Sequence, residues 1–296
     1  MAPRLDVITA VTTPFTASGE LDLTAARRLF SLIAATTGNM FVAGTTGEFP
    51  ALDDSERLAL IEAALAEAGP DHVIAHVGGP DARHARRLAA AAVAAGARRL
   101  AAITPYYLPA EPAEIMAYYR EVAKAAAGTE LYAYLYPERT GVKVTPEQLA
   151  ALTAECGLAG AKLSGSAGAS LRAYSGAVPA GFRLYTGRDD EVPLAAEAGA
   201  AGVVSGLSSA WPELYVRLAD ALAAGDAAEA RACQAAVGRI VAAGRAIGHL
   251  KYVLSLRGVI GRTARMTAGT VDDDAAAALA ALVSEWAPAD VAGSAG

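Results

Sequence analysis

Cysteine is one of the scarcest residues in this chain, with only Cys156 and Cys233 among 296 residues. Two cysteines are too few for the disulfide framework of a small secreted protein. Neither lies in a CxxC motif or at a Cys/His spacing typical of a zinc site. We therefore predict a cytoplasmic protein whose thiols stay reduced.

An excess of basic residues is also absent. The chain has 25 Lys and Arg against 31 Asp and Glu, which gives a formal net charge of −6 at pH 7. This balance, without any basic run, argues against a nucleic-acid partner. The apolar stretches are rich in alanine and are interrupted by arginine or glycine well short of a membrane span. Asp6 and Pro14 come before a signal-peptide core could form, so we expect a soluble, unexported protein.

Short apolar runs alternate about eight times with longer stretches of helical periodicity, a pattern typical of a parallel sheet with connecting helices. The predicted strands are residues 6–11, 39–43, 72–77, 99–103, 131–135, 158–163, 182–186 and 202–205. Eight such units favour a (β/α)₈ TIM barrel over an open doubly wound sheet. The open sheet normally carries a glycine-rich phosphate turn, but neither GxGxxG nor GxxxxGK[ST] occurs in the sequence.

The last predicted strand is followed by three helix-like stretches, residues 227–244, 246–256 and 273–286. We predict a catalytic barrel over residues 1–224 and a helical extension packed on it over residues 225–296, with a frayed tail at 291–296. Helix starts are predicted at Thr145, Asp53 and Asp81, each of which offers a capping side chain.

Lysine is scarce too, since only four of the 25 basic residues are lysines. Lys162 is the single charge in the small, apolar stretch GLAGAKLSG. Burial can lower the pKa of a lysine and leave the free amine as a nucleophile for Schiff-base chemistry. A side chain that lies along an apolar wall with its ammonium in water explains the same pattern equally well.

Several reactive residues follow the carboxyl ends of the predicted strands, where the loops of a barrel form its active site. They are Thr45 and Thr46 in the GTTGE turn, Tyr107 in TPYY, Tyr134, Arg139 in PERTG, Lys162, Gly187 and Val204. Neighbouring strands lie ~4.8 Å apart, so Tyr134 on the fifth strand could reach Lys162 on the sixth. Each of these residues alone could instead belong to an ordinary turn, cover the rim of the barrel or be a solvated charge. Their joint placement at one end of the strands favours a single site.

In this order and spacing, the segments GTTGE, TPYY, Y-x-x-P-x-R-T-G and GAKLSG resemble the dihydrodipicolinate synthase and N-acetylneuraminate lyase superfamily. The resemblance covers about residues 11–211. It implies a class I aldolase barrel, usually a homotetramer built as a dimer of dimers. It also implies pyruvate and an aldehyde as partners and no cofactor, because the protonated imine is itself the electron sink.

The resemblance further implies a role for each residue. Lys162 would form the imine, and Tyr134 would relay protons. Thr45 would link Tyr134 to Tyr107, which in the synthases reaches in from a partner subunit. Thr45 and Thr46 would bind the pyruvate carboxylate, and Arg139 would bind a carboxylate of the second substrate. Gly187 and Val204 would line the pocket. The four histidines are not expected to bind a metal.

Three features depart from the synthase pattern. Leu135 replaces the asparagine that commonly follows the tyrosine, and Leu163 replaces the acidic residue that commonly follows the lysine. Phe49 and Pro50 are bulkier than the pair expected in a lysine-biosynthetic synthase. The identity of the aldehyde is therefore the open question.

Three functions remain open at this point. The first is a dihydrodipicolinate synthase-like enzyme acting on pyruvate and aspartate semialdehyde. The second is an aldolase or dehydratase for 4-hydroxy-2-oxo acids or 2-keto-3-deoxy sugar acids. The third is a non-catalytic sensor of oxo acids. A serine hydrolase is a weaker alternative, because GVVSG misses the GxSxG motif by one residue.

Overall fold

The fold is taken from a computed structural model that describes residues 4–287. Eight parallel strands form a closed barrel in the order of the chain. The strands are β1 (Asp6–Ala10), β2 (Asn39–Val42), β3 (Val73–His76), β4 (Arg99–Ile103), β5 (Glu130–Leu135), β6 (Gly160–Leu163), β7 (Arg183–Thr186) and β8 (Gly202–Ser205). The predicted barrel class is confirmed, and each predicted strand is present with small differences at its ends.

Helices occupy most of the segments between the strands. They are α1 (Leu23–Thr36), α2 (Asp54–Ala68), α3 (Ala82–Ala94), α4 (Pro112–Ala125), α5 (Pro137–Thr140), α6 (Pro146–Cys156), α7 (Ser166–Ala169), α8 (Leu171–Ala177), α9 (Val192–Glu197), α10 (Pro212–Ala224), α11 (Ala227–Ala243), α12 (Ile247–Leu256) and α13 (Asp273–Trp286). The three predicted C-terminal helices correspond to α11, α12 and α13. The frayed tail predicted at residues 291–296 lies outside the described residues.

The predicted helix starts form the expected caps. The Thr145 hydroxyl accepts a hydrogen bond from the amide of Gln148 at 3.2 Å, and the Gln148 side chain accepts one from the amide of Thr145 at 2.7 Å. Asp81 caps α3, and Asp53 accepts a hydrogen bond from the amide of Glu56 at 2.8 Å. These bonds pair amide groups that have no partner inside a helix.

One compact unit comprises Gly69–Val204 and includes β3 to β7 with their helices. A polar cluster lies at the amino ends of its strands. Glu130 pairs with Arg183 at 2.5 Å and with Arg99 at 3.4 Å, and it accepts a hydrogen bond from the Tyr132 hydroxyl at 2.7 Å. Burial, followed by the bond to Glu130, raises the pKa of Tyr132 to about 12. The amino ends are thus used for structure, and the carboxyl ends remain for chemistry.

The other compact unit comprises, among the described residues, 4–68 and 205–287, and it includes β1, β2, α1, α2 and α10 to α13. Arg257, at the end of α12, forms a mostly buried ion pair with Glu213 of α10 at 2.6 Å. Gly225 ends α10 in the left-handed region, with φ 71°, beside the predicted boundary at residues 224 and 225. That division into two parts stays a prediction. Among residues 4–287, no helix is long and apolar enough to cross a membrane.

Candidate active site

Lys162 lies in β6, a strand whose four residues are all buried, and only 6% of its surface is exposed. The neighbouring strand approaches closely because Gly160 has no side chain: a Cβ there would lie 2.2 Å from the carbonyl oxygen of Arg183. In register, Lys162 is paired with Tyr134 of β5 on one side and with Tyr185 of β7 on the other. Lys162 is therefore a buried lysine in a strand that has a neighbouring strand on each side.

The predicted proximity of Tyr134 and Lys162 is confirmed. The Lys162 Nζ atom lies 4.3 Å from the centroid of the Tyr134 ring, and Tyr134 is 1% exposed. Burial lowers the pKa of Lys162 to about 8, against a smaller opposing effect of Asp189 and Tyr136. At pH 7.5 about a quarter of such amines are unprotonated, compared with ~0.1% of an ordinary lysine. The site thus combines a usable nucleophile with an adjacent phenol.

His76 is a buried neighbour of Tyr134 that the sequence analysis considered only as a metal ligand, a role it did not expect. It is 0% exposed, and its ring meets the Tyr134 ring edge-on, with centroids 6.0 Å apart. Its Nε2 atom accepts a hydrogen bond from the amide of Ile103 at 3.3 Å. A ring nitrogen that accepts carries no proton, so the histidine packs against the tyrosine as a neutral ring.

Arg139 lies in α5, the short helix that directly follows β5. Its side chain is exposed, and its guanidinium lies over the Tyr136 ring, 5.9 Å from the centroid. The neighbouring Glu138 accepts a hydrogen bond from the amide of Ser166 at 2.9 Å, which ties the loop after β5 to the loop after β6. Arg139 is thus held on an anchored loop with its charge accessible.

The two leucines that depart from the synthase pattern occupy paired positions. Leu135 and Leu163 are partners in register and are both almost fully buried. Successive side chains of a strand point to opposite faces, so these leucines face away from Tyr134 and Lys162. Any effect of these leucines on substrate specificity is therefore indirect.

Tyr107 is not brought to Lys162. Its side chain is 90% exposed, and its backbone has a φ of 83°, which is unusual for a residue with a Cβ. Leu108 beside it is 69% exposed. A strained backbone conformation persists only where the structure around it enforces it. The conformation that holds Tyr107 and Leu108 outward therefore requires such enforcement.

Gly187 and Val204 lie at or near the ends of β7 and β8. The amide of Gly187 donates to the carbonyl oxygen of Leu163 at 2.7 Å, and a Cβ at residue 187 would lie 2.2 Å from the Ser164 hydroxyl. Val204 is 3% exposed. After Gly187 comes an acidic 3₁₀ turn, Asp189–Glu191, which includes the Asp189 that acts on Lys162.

Thr45 and Thr46 belong to the other compact unit, in the turn of residues 44–48 that follows β2. Both threonines are half-buried. The Thr45 carbonyl accepts a hydrogen bond from the amide of Glu48 at 3.1 Å, and a Cβ at Gly206 would lie 3.0 Å from the Thr46 hydroxyl. The turn is therefore tightly closed, with backbone packed against its second threonine.

Two residues that act on Tyr134 or Lys162, His76 and Asp189, were not predicted to do so. In the other unit, the buried pair of Glu48 and Lys251, 2.6 Å apart, was not predicted either. The acidic run directly after the seventh strand could have indicated Asp189, and the last letter of GTTGE could have indicated Glu48. Nothing local in the sequence points to Lys251. Within residues 4–287, no group of three or more His, Cys, Asp and Glu side chains is arranged to hold a metal ion.

Comparison with known proteins adds an independent line of information. The model of the dihydrodipicolinate synthetase family matches residues 4–286. A relative in Streptomyces coelicolor, 4-hydroxy-tetrahydrodipicolinate synthase 1, is 36% identical over 241 residues, covering 79% of this chain and 76% of its own. An uncharacterized DapA-like lyase of Halobacterium salinarum is 35% identical over 280 residues, covering 93% of this chain and 91% of its own.

A solved structure shares the architecture. It is YagE, a prophage protein of the dihydrodipicolinic acid synthase family from E. coli K12, crystallised in complex with pyruvate. It superposes with a TM-score of 0.86 at 27% sequence identity, covering 96% of this chain and 99% of its own.

Proposed function

The chain belongs to the dihydrodipicolinate synthetase family and is a lyase of the class I aldolase type, and we propose that it condenses pyruvate with Lys162 to make or break a carbon–carbon bond. The single observation that carries this proposal is the buried Lys162 amine, whose pKa is lowered to about 8, lying 4.3 Å from the Tyr134 ring. An imine-forming lysine must be unprotonated near neutral pH and must have an acid–base group beside it.

The proposed reaction begins with attack of the Lys162 amine on the keto carbon of pyruvate. The carbinolamine loses water to give a protonated imine, and loss of a proton from the methyl carbon gives the enamine. The enamine carbon then attacks an aldehyde, or the same steps run in reverse during cleavage. Tyr134 is the proposed carrier for these protons, because a buried phenol can both donate and accept.

We place the pyruvate carboxylate on Thr45 and Thr46, the roles that the family resemblance implies. Two hydroxyls and the amides of a closed turn offer donors of the kind that bind a carboxylate. The E. coli relative with bound pyruvate supports the choice of oxo acid. Gly187 and Val204 complete the proposed lining.

For the second substrate we propose aspartate semialdehyde. Arg139 supports this choice, since an exposed guanidinium on an anchored loop suits the carboxylate of an anionic aldehyde. The Streptomyces coelicolor relative is named a synthase, which supports the synthase direction of the reaction.

A second candidate keeps the imine but acts on a 4-hydroxy-2-oxo acid or a 2-keto-3-deoxy sugar acid. The observation that favours it is the acidic turn Asp189–Glu191, whose first residue influences Lys162. Carboxylates accept hydrogen bonds from substrate hydroxyls and repel a second anion.

We also propose a cytoplasmic homotetramer built from two dimers, in which Tyr107 serves a neighbouring subunit. Its 90% exposure and positive φ support an outward role for this residue. Light scattering of the wild type and of Tyr107→Ala tests the assembly; a monomeric wild type with full activity contradicts it.

The decisive experiment is reductive trapping. Borohydride with pyruvate should add one reduced pyruvate to the peptide that contains Lys162, and Lys162→Ala should lose both the adduct and turnover. Assays of the wild type with aspartate semialdehyde and with hydroxy-oxo acids then separate the two candidates. Pyruvate binding without any adduct would instead favour the oxo-acid sensor.

A further inference from the structure

The chain contains a second buried lysine, which pairs with the last residue of the GTTGE turn. The Lys251 Nζ atom donates to Glu48 Oε1 at 2.6 Å and to the carbonyl oxygen of Thr263 at 2.7 Å, and both charged side chains are 0% exposed. Glu48 Oε2 accepts hydrogen bonds from the amides of Arg265 and Met266 at 2.9 and 2.8 Å. Every oxygen of the carboxylate is therefore engaged by groups from the C-terminal extension.

Such a pair is an inefficient way to gain stability. Burial lowers the pKa of Lys251, against the opposing effect of its bond to Glu48, so the desolvation of the ammonium is not fully compensated. Packed apolar side chains of similar volume are often at least as stable as a buried ion pair. An ion pair instead fixes the relative position of its two side chains, because its hydrogen bonds form only in one geometry.

That geometry is imposed on the turn of residues 44–48. Glu48 has a φ of 57°, in the left-handed region that favours glycine. Its amide closes the turn on the Thr45 carbonyl at 3.1 Å, and the Thr13 hydroxyl donates to the Gly47 carbonyl at 2.6 Å. The carboxylate anchor thus holds in place the residue that ends the turn.

The same carboxylate poses an electrostatic problem. A negative charge next to the turn disfavours binding of a substrate carboxylate there, because the two charges repel each other strongly in a medium of low dielectric constant. Lys251 is the buried cation in contact with Glu48, and it cancels this charge within 2.6 Å. The pair therefore supplies a rigid anchor without a net charge.

We propose that Glu48 and Lys251 are positioning residues that hold the 44–48 turn in the conformation that selects 2-oxo acids with a free carboxylate. The inference rests on the proposed function, in which Thr45 and Thr46 receive the pyruvate carboxylate. It gives the C-terminal extension a part in substrate selection, since α12 and the segment of residues 263–266 provide the partners of Glu48.

The test compares trapping by borohydride with pyruvate and with its neutral analogue pyruvamide. Lys251→Met leaves the Glu48 carboxylate unpaired, so the preference for pyruvate over pyruvamide should fall by about tenfold or more. The double variant Glu48→Gln with Lys251→Met contains no unpaired charge, and it should regain part of the preference without reaching that of the wild type. A purely structural role would change both rates equally and leave the ratio intact.

The matched control is Glu213→Gln, which disrupts the mostly buried ion pair with Arg257 elsewhere in the same unit. It should keep the wild-type ratio. An unchanged ratio in folded Lys251→Met, or an equal fall in the control, overturns the proposal. If Lys251→Met does not fold, the double variant decides, and a wild-type ratio in it overturns the proposal. A wild type that forms no pyruvate adduct refutes the proposed function instead.

Discussion

The acidic turn after β7 allows the charge on Lys162 to be adjusted from outside the strand. Asp189 raises the pKa of Lys162 against the larger lowering caused by burial, so Asp189→Asn should lower this pKa below its present value of about 8. At pH 7 a pKa of about 8 leaves about 9% of the amine unprotonated. The variant should exceed this fraction, and a pKa of about 7.5 would correspond to about 24%, close to threefold more.

This shift is measured as the rate of pyruvate trapping between about pH 6 and pH 10, with enough reductant that imine formation limits the rate. The wild-type profile should rise with an apparent pKa of about 8, and that of Asp189→Asn should lie lower. Asp190→Asn is the matched control, because it removes the same charge from the same turn at a residue that pairs with Arg188 at 3.2 Å. A wild-type midpoint near 10.5, or equal shifts in both variants, refutes the reasoning.

Three further predictions concern the stability cost of burying Lys162 and the roles of Tyr134 and Arg139. Lys162→Met should raise the free energy of unfolding at pH 7 by up to about 3 kcal/mol, because the wild-type ammonium is buried with its pKa lowered from 10.5 to about 8. Between these two pH values only the unfolded wild-type chain keeps the lysine proton, so the stability of the wild type should rise with pH over that range. The advantage of the variant should disappear above it. Urea unfolding at several pH values measures this, and a variant less stable than the wild type at pH 7 contradicts it. Tyr134→Phe should slow trapping by about 10²- to 10⁴-fold, whereas Tyr132→Phe, in the cluster at the amino ends of the strands, should not. Arg139→Gln should raise KM for aspartate semialdehyde by about tenfold or more and leave KM for pyruvate unchanged. If neither KM changes, the second candidate, with a 4-hydroxy-2-oxo acid or a 2-keto-3-deoxy sugar acid as substrate, is favoured.

The barrel itself was predictable because its pattern is local. Each strand is a short apolar run bounded by turn residues, and the helix starts at Thr145 and Asp81 carry their own capping groups. The proximity of Tyr134 and Lys162 was predictable too, since adjacent strands in sequence are adjacent in the sheet and their spacing is fixed. These features depend on residues whose separation the topology dictates.

The features that escaped prediction depend on contacts between distant parts of the chain. Glu48 and Lys251 are 203 residues apart, and neither has a local pattern that indicates its partner. The neutral state of His76 depends on an amide donated from the next strand, which periodicity does not reveal. Leu135 and Leu163 are a different case: side chains alternate between the two faces of a strand, so each leucine faces away from the residue before it, and this was predictable from the sequence.

The separation of Glu48 from Lys251 also has a consequence for synthesis. Ribosomes add about 5–20 residues per second, so the turn emerges about 10–40 s before the lysine that neutralises it. During that interval the Glu48 carboxylate has no partner from the extension and stays hydrated, which disfavours its burial. The buried ion pair that anchors the 44–48 turn can thus form only after α12 has been made. Formation of this anchor is therefore a late event in the maturation of the enzyme.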